Sequence, residues 1–157
     1  MQTEIRVETD DFDIAKEWAA MRARLGGRAG AVVAFAGIVR DHAGTEQVNG
    51  LFLEHYPGMT EASIGKILAK ASDRWELTDA VVIHRIGELG PRDQIVLVLV
   101  AAAHRGDAFA ACEFVMDYLK TDAVFWKKEH RPDGDSWIGA TGRDRKRRNG
   151  WEPTPAE

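Results

Sequence analysis

QIVLVLVAAAHRGDAFAACEFVMDYLK, residues 94–120, decides the class of fold. Its first half holds nine successive apolar residues, Ile95–Ala103. That is the length of a strand and about half of the ~18 residues a membrane-spanning helix needs. A strand apolar at every position needs cover on both faces, unlike the alternating strand of a one-sided sheet. The second half, Asp107–Lys120, is apolar around most of a helical circumference and also needs cover on several sides. Asp107, after Arg105-Gly106, is placed to cap that helix.

Downstream, AVFWKKE (123–129) and DSWIGA (135–140) read as short strands joined by the turn Arg131-Pro132-Asp133-Gly134. Upstream, DAVVIHRIGEL (79–89) reads as one strand, with the turn GPRD (90–93) after it. Further back, EIRVE (4–8) alternates as a half-buried strand does. A helix over DIAKEWAAMRARL (13–25) follows, capped by Asp11 or Asp13 and stopped by Gly26-Gly27. GAVVAFAGIVRD (30–41) is a buried strand, and GLFLEHY (50–56) is expected to pair with it. After Pro57-Gly58, Thr60 and Glu61 open a helix whose apolar positions Ile64, Ile67, Leu68, Ala71 and Trp75 keep helical spacing. The order β-α-β-β-α-β-β-α-β-β mixes hairpins with crossovers. It predicts an α+β or mixed α/β domain, not a doubly wound parallel sheet.

The chain has 157 residues, 45% of them hydrophobic, and a net charge of -4, values of a globular domain and not of a disordered tail. The charge is unevenly spread. Five of the 21 basic residues, Arg143, Arg145, Lys146, Arg147 and Arg148, occupy six positions near the C-terminus. A single domain over 1–141 with a basic tail over 142–157 follows, the tail reading most simply as a solvated end. The N-terminus is acidic and lacks an apolar leader, so a cytoplasmic location is expected. One cysteine, Cys112, excludes a disulfide framework or a multi-thiolate zinc site, and no two of the five histidines lie three to five residues apart. No metal and no cofactor are expected.

Hydrolase elbows, phosphate loops and HExxH are absent from the sequence. What remains is a set of cations at the ends of apolar elements: Arg40, His104-Arg105, Lys120 and the pair Lys127-Lys128. Taken singly each is a solvated end, and Lys120 could simply pair with Asp117 one turn back. Were they to converge, they would form an anion pocket, with backbone N–H groups at His104–Asp107 adding to it. Crowding and desolvation lower a lysine's proton affinity, so Lys120 or Lys127 could serve as nucleophile or acid/base. Strand alternation puts Phe125, Lys127 and Glu129 on one face and Trp126 with Lys128 on the other. Gly37 marks either a tightly packed strand or an opening for a ligand.

Six ordered blocks carry a resemblance to a known family: FAGIVRDH (35–42), LEHYPGMTE (53–61), IHRIGEL (83–89), AHR (103–105), MDYLK (116–120) and FWKKE (125–129) followed by DGDSW. Together they resemble the large, catalytic subunit of molybdopterin synthase. The resemblance implies an α/β hammerhead with an additional small antiparallel sheet. It implies a sulfurtransferase of molybdenum-cofactor biosynthesis that converts cyclic pyranopterin monophosphate to molybdopterin. The sulfur comes from the C-terminal Gly-Gly thiocarboxylate of a small ubiquitin-like partner, in a heterotetramer built on a homodimer of large subunits. By matching motif, Lys120 and Lys127 become the catalytic pair. Arg40, His104, Arg105, Lys128 and Phe35 become substrate-binding residues, with Arg143 the candidate from the tail. Two other readings compete: a noncatalytic scaffold whose anion pocket grips a partner's C-terminal tail, and nucleic-acid binding through RDRKRR, which the acidic body disfavours.

Overall fold

A computed structural model describes residues 1–153; residues 154–157, the end of the expected tail, lie outside the described residues. The chain runs β1 (Gln2–Glu8), α1 (Ile14–Leu25), β2 (Ala31–Ile38), β3 (His42–Ala43), β4 (Glu46–Gln47), β5 (Gly50–His55) and α2 (Met59–Arg74). It continues with β6 (Leu77–Arg85), β7 (Gly87–Leu89), β8 (Gln94–Ala102), α3 (Arg105–Leu119), β9 (Phe125–Arg131), β10 (Gly134–Ile138) and α4 (Gly142–Asn149). The fold is α+β, as the mixture of hairpins and crossovers predicts.

Strand β8 lies inside a four-stranded sheet of order β1-β6-β8-β2, in which only β1 and β6 are parallel. Its even-numbered residues Val96, Val98 and Val100 join Ile64, Leu68, Phe114 and Val115 of α2 and α3. Its odd-numbered residues Leu97, Leu99 and Ala101 join Met21 and Leu25 of α1. Both faces are covered by helices, which is why this strand has no polar alternation. Each fully buried leucine or valine there is worth about 1.5–3 kcal/mol over an exposed one.

A second, wholly antiparallel sheet has the order β10-β9-β5-β7, and β3 with β4 forms a separate hairpin. Two expectations are corrected here. GLFLEHY does not pair with the 30–41 strand: β5 pairs with β7 and β9, while β2 pairs with β8 and forms the sheet edge. A register shift between Gly37 and Ile38 and the β3–β4 hairpin lead the chain out of the first sheet before β5 begins. The run 79–89 is two strands in two sheets, because Gly87 takes a φ of 82°, a left-handed conformation open to glycine.

The helix starts differ slightly from the sequence reading. Asp13 caps α1, accepting from the Lys16 N–H at 3.2 Å. His104, not Asp107, is the extended residue before α3, and Asp107 sits in the first turn, where its charge favours the dipole.

The basic tail is not a solvated end. Residues 142–149 form α4, capped by Thr141, whose hydroxyl accepts from the Asp144 N–H at 3.1 Å. Arg147 pairs with Glu113 at 2.6 Å and with Asp117 at 2.9 Å, and Arg148 pairs with Asp122 at 3.2 Å. Trp151 then inserts edge-on against Trp75 and Phe114, and its indole N–H donates to Asp117 at 2.8 Å. Asp117 is thereby buried by the tail and occupied by Arg147 and Trp151, not by Lys120.

Candidate active site

Three of the expected cations meet at one end of the main sheet. Arg40 follows β2 at the end where Ile38 is paired with Gln94. Helix α3 starts beyond the opposite end of β8 and runs back across the sheet, so Lys120, just past its last turn, returns to the Arg40 end. Lys127 is the third residue of β9 and shares a strand face with Phe125 and Glu129. Burial pushes the Lys127 ammonium below its usual pKa, and the charges of Lys120 and Arg40 push the same way, against Glu129 and Asp144. Lys120 itself is exposed. Phe35 follows Val33 on the face of β2 turned to α3 and is 39% exposed. Gly37 proves to be a packing glycine: a Cβ there would lie 2.8 Å from Cγ1 of Val96, a stiff branched side chain.

Two residues complete the cluster that sequence reasoning did not single out. His84 continues the row Ala80, Val82 on the helix-covered face of β6 and stacks on Phe125 with ring centroids 4.0 Å apart. Its Nδ1–H donates to the Arg85 carbonyl at 2.8 Å; because a carbonyl only accepts, this sets the tautomer. Burial, followed by the charges of Lys120 and Lys127, pushes its pKa down to about 4, so the ring adds no charge at neutral pH. Asp144, in the first turn of α4, is the nearby anion: it acts on Lys127, and Lys120 and Lys127 act on it. Its carboxylate is held below the usual range: burial raises it, but Thr141 donates from its backbone N–H at 2.9 Å and its hydroxyl at 2.8 Å. Arg143, exposed, precedes Asp144 at this end of the molecule.

Other expected ligands fall elsewhere in the chain. His104 and Arg105 are exposed at the far end of the β2–β8 pair, where Ala31 faces Ala102. With β8 nine residues long, they stand roughly 26 Å from the Arg40 end at ~3.3 Å per residue. There Arg105 lines, with Arg22 and Phe109, an open groove of about 890 Å³ between α1, β2 and α3. Lys128 points to the opposite face of β9 from Lys127 and is held between the rings of Phe52 and Trp137, at 5.3 and 5.2 Å. Cys112 is 5% exposed, and burial pushes its thiol up to about 11, so it is packing and not a nucleophile. Among the described residues no cluster of three or more metal-ligating side chains occurs.

The fold brings Arg40, Lys120 and Lys127 into one cluster of cations around a part-buried lysine, in a mixed α+β domain. A family model described as MoaE protein matches residues 7–122. The molybdopterin synthase catalytic subunit of Vibrio cholerae is 50% identical over 152 residues, covering 97% of this chain and 100% of that protein. The protein of the same name from Ralstonia nicotianae is 56% identical over 138 residues, 87% of this chain and 77% of that one. The structure of the molybdopterin biosynthesis MoaE protein from Burkholderia ambifaria superimposes with a TM-score of 0.80 at 52% identity, over 96% of this chain and 100% of that one. The chain belongs to the MoaE family.

Proposed function

We propose that this chain is the catalytic subunit of a molybdopterin synthase, in which sulfur carried by a small ubiquitin-like partner as a C-terminal Gly-Gly thiocarboxylate is delivered twice to cyclic pyranopterin monophosphate. In each round the thiocarboxylate sulfur bonds to a side-chain carbon of the pterin as a carbon–oxygen bond at that carbon breaks and its oxygen leaves; water then attacks the acyl carbon, the acyl carbon–sulfur bond breaks, and the carrier's terminus returns as a carboxylate. The observation that carries the reading is the lysine pair: Lys127, part-buried and with its proton affinity lowered, beside Lys120 and Arg40 in a region with no reactive thiol. Thiocarboxylate, cyclic phosphate and acyl-transfer intermediates are all anionic, and fixed cations stabilise them without reorganisation. Lys127, its proton affinity lowered by burial and by Lys120 and Arg40, is the residue placed to take or return protons, while Arg40, Phe35 and Arg143 border the substrate.

A second copy completes the site. His104 and Arg105 reach the Arg40 end only from another chain, given the length of β8 between them. Strand β2 is a sheet edge whose sequence, AVVAFAGI, carries no charge, an edge suited to pairing. Two such edges set antiparallel bring Arg40 of one chain beside His104 and Arg105 of the other, on the homodimer core of a heterotetramer. Among the described residues no helix is long and apolar enough to cross a membrane, and the reading places the reaction in the cytoplasm. Lys128, on the reverse face, contributes through the strand and not by direct contact.

The test is to mix the purified chain with a thiocarboxylated Gly-Gly carrier and cyclic pyranopterin monophosphate, then weigh the carrier. The reading expects the carrier to return as carboxylate with dithiolene formed in step. A carrier that binds but keeps its sulfur makes the chain a scaffold and overturns the reading.

A further inference from the structure

The outer face of the second sheet holds a cleft that the lysine site does not use. Strand register places Glu54 directly opposite Trp126, Phe52 opposite Lys128, and Lys128 opposite Trp137, all on one face. Glu54, His55, Tyr56, Trp126 and Trp137 line an open cleft of about 370 Å³. Three of these are large aromatic residues left open to solvent, Tyr56 at 55%, Trp126 at 48% and Trp137 at 57%.

Charges elsewhere on this face are satisfied. Lys128 lies 3.9 Å from Asp135, and His130 bridges Asp135 at 2.9 Å and Glu88 at 2.8 Å. Glu54, exposed at the centre of the aromatic group, has neither an ion-pair nor a hydrogen-bond partner among the described residues. The rim is fixed by the wholly buried Thr60: the Tyr56 N–H donates to its hydroxyl at 3.0 Å, and that hydroxyl donates to the Val124 carbonyl at 2.7 Å. An unpaired carboxylate beside aromatic faces attracts a cation by charge and by the ring quadrupoles together.

We propose that this cleft is a docking cage for an arginine or lysine side chain of the small sulfur-carrier subunit. The assignment to that subunit rests on the function proposed above; the cationic chemistry rests on Glu54 and its aromatic walls. Trp126 and Lys127 are neighbours on opposite faces of β9, so the cage and the lysine pair lie one strand thickness apart. That short separation, together with the negative charge of Glu54, is what points to the carrier as the source of the cation.

The experiment titrates the carrier's carboxylate form into the full-length chain by calorimetry, for wild type, Glu54→Gln, Glu54→Lys and Trp126→Ala, with turnover measured at saturating carrier. Loss of the carboxylate or of one aromatic wall should weaken binding roughly tenfold, and charge reversal roughly a hundredfold. The turnover number at saturation should stay at the wild-type value, because none of these side chains faces the lysine site. Wild-type affinity in all three variants overturns the cage while leaving the sulfurtransferase reading intact. A wild-type chain that neither binds nor desulfurates the carrier overturns both. Unchanged melting temperatures separate lost docking from lost folding.

Discussion

Replacing Trp151 by alanine tests whether the basic tail is part of the folded body. The indole meets Trp75 edge-on at 5.7 Å and Phe114 at 5.5 Å, and it donates to Asp117 at 2.8 Å. Each aromatic pair is worth about 0.5–1.5 kcal/mol beyond area burial. A hydrogen bond to a charged group adds about 1.5–3 kcal/mol. Arg147 continues to hold Asp117, which favours the low end of that range. The terms are not additive, and the expected cost is about 3 kcal/mol, or roughly 6–12 °C in melting temperature for a chain of this size. Trp151→Phe keeps ring contacts and removes only the donor, so it should lose about 1.5 kcal/mol. Thermal unfolding followed by circular dichroism reads both. A Trp151→Ala protein melting within about 2 °C of wild type would refute the packing of the tail on α3.

Two further outcomes concern titration and reactivity. Hydrogen bonds to Asp135 and Glu88 raise the His130 pKa above its ordinary value, so its contribution to stability is fully present below ~6.5 and fades as pH rises through the folded value. His130→Gln should therefore lower the urea midpoint at pH 5.5 and change it little at pH 9; equal effects at both pH values contradict that linkage. Cys112, with its thiol pushed up to about 11, should resist alkylation at pH 7.5 in the native protein and react fully in denaturant. Rapid labelling of the native chain with loss of activity would contradict that burial and make Cys112 a candidate nucleophile.

The parts of the fold legible in the sequence are those whose signal is local. The uninterrupted run in β8 implied cover on both faces, and helices α1 on one side and α2 and α3 on the other supply it. Helix α4 was illegible because GRDRKRRN has no apolar face; what holds it is Glu113, Asp117 and Asp122 on and just beyond α3, a tertiary fact. The partner of GLFLEHY was missed because neighbours in sequence normally pair, and here a bulge and a small hairpin intervene. At the site, Lys120, Lys127 and Arg40 converge because each ends or lines an element reaching one sheet edge. His104-Arg105 begins the same helix that Lys120 ends, so the two cannot meet within one chain. His84 left a readable trace, the last position of the row Ala80, Val82, His84, but a lone histidine on an apolar row more often reads as core.

The central claim, sulfur transfer at the lysine pair, is tested most directly by one single-turnover measurement on Lys120→Ala, with thiocarboxylated carrier and cyclic pyranopterin monophosphate in place. The account predicts that the carrier keeps its sulfur and no dithiolene forms, while the variant melts like wild type and keeps its oligomeric state. Dithiolene formation at the wild-type rate would contradict it.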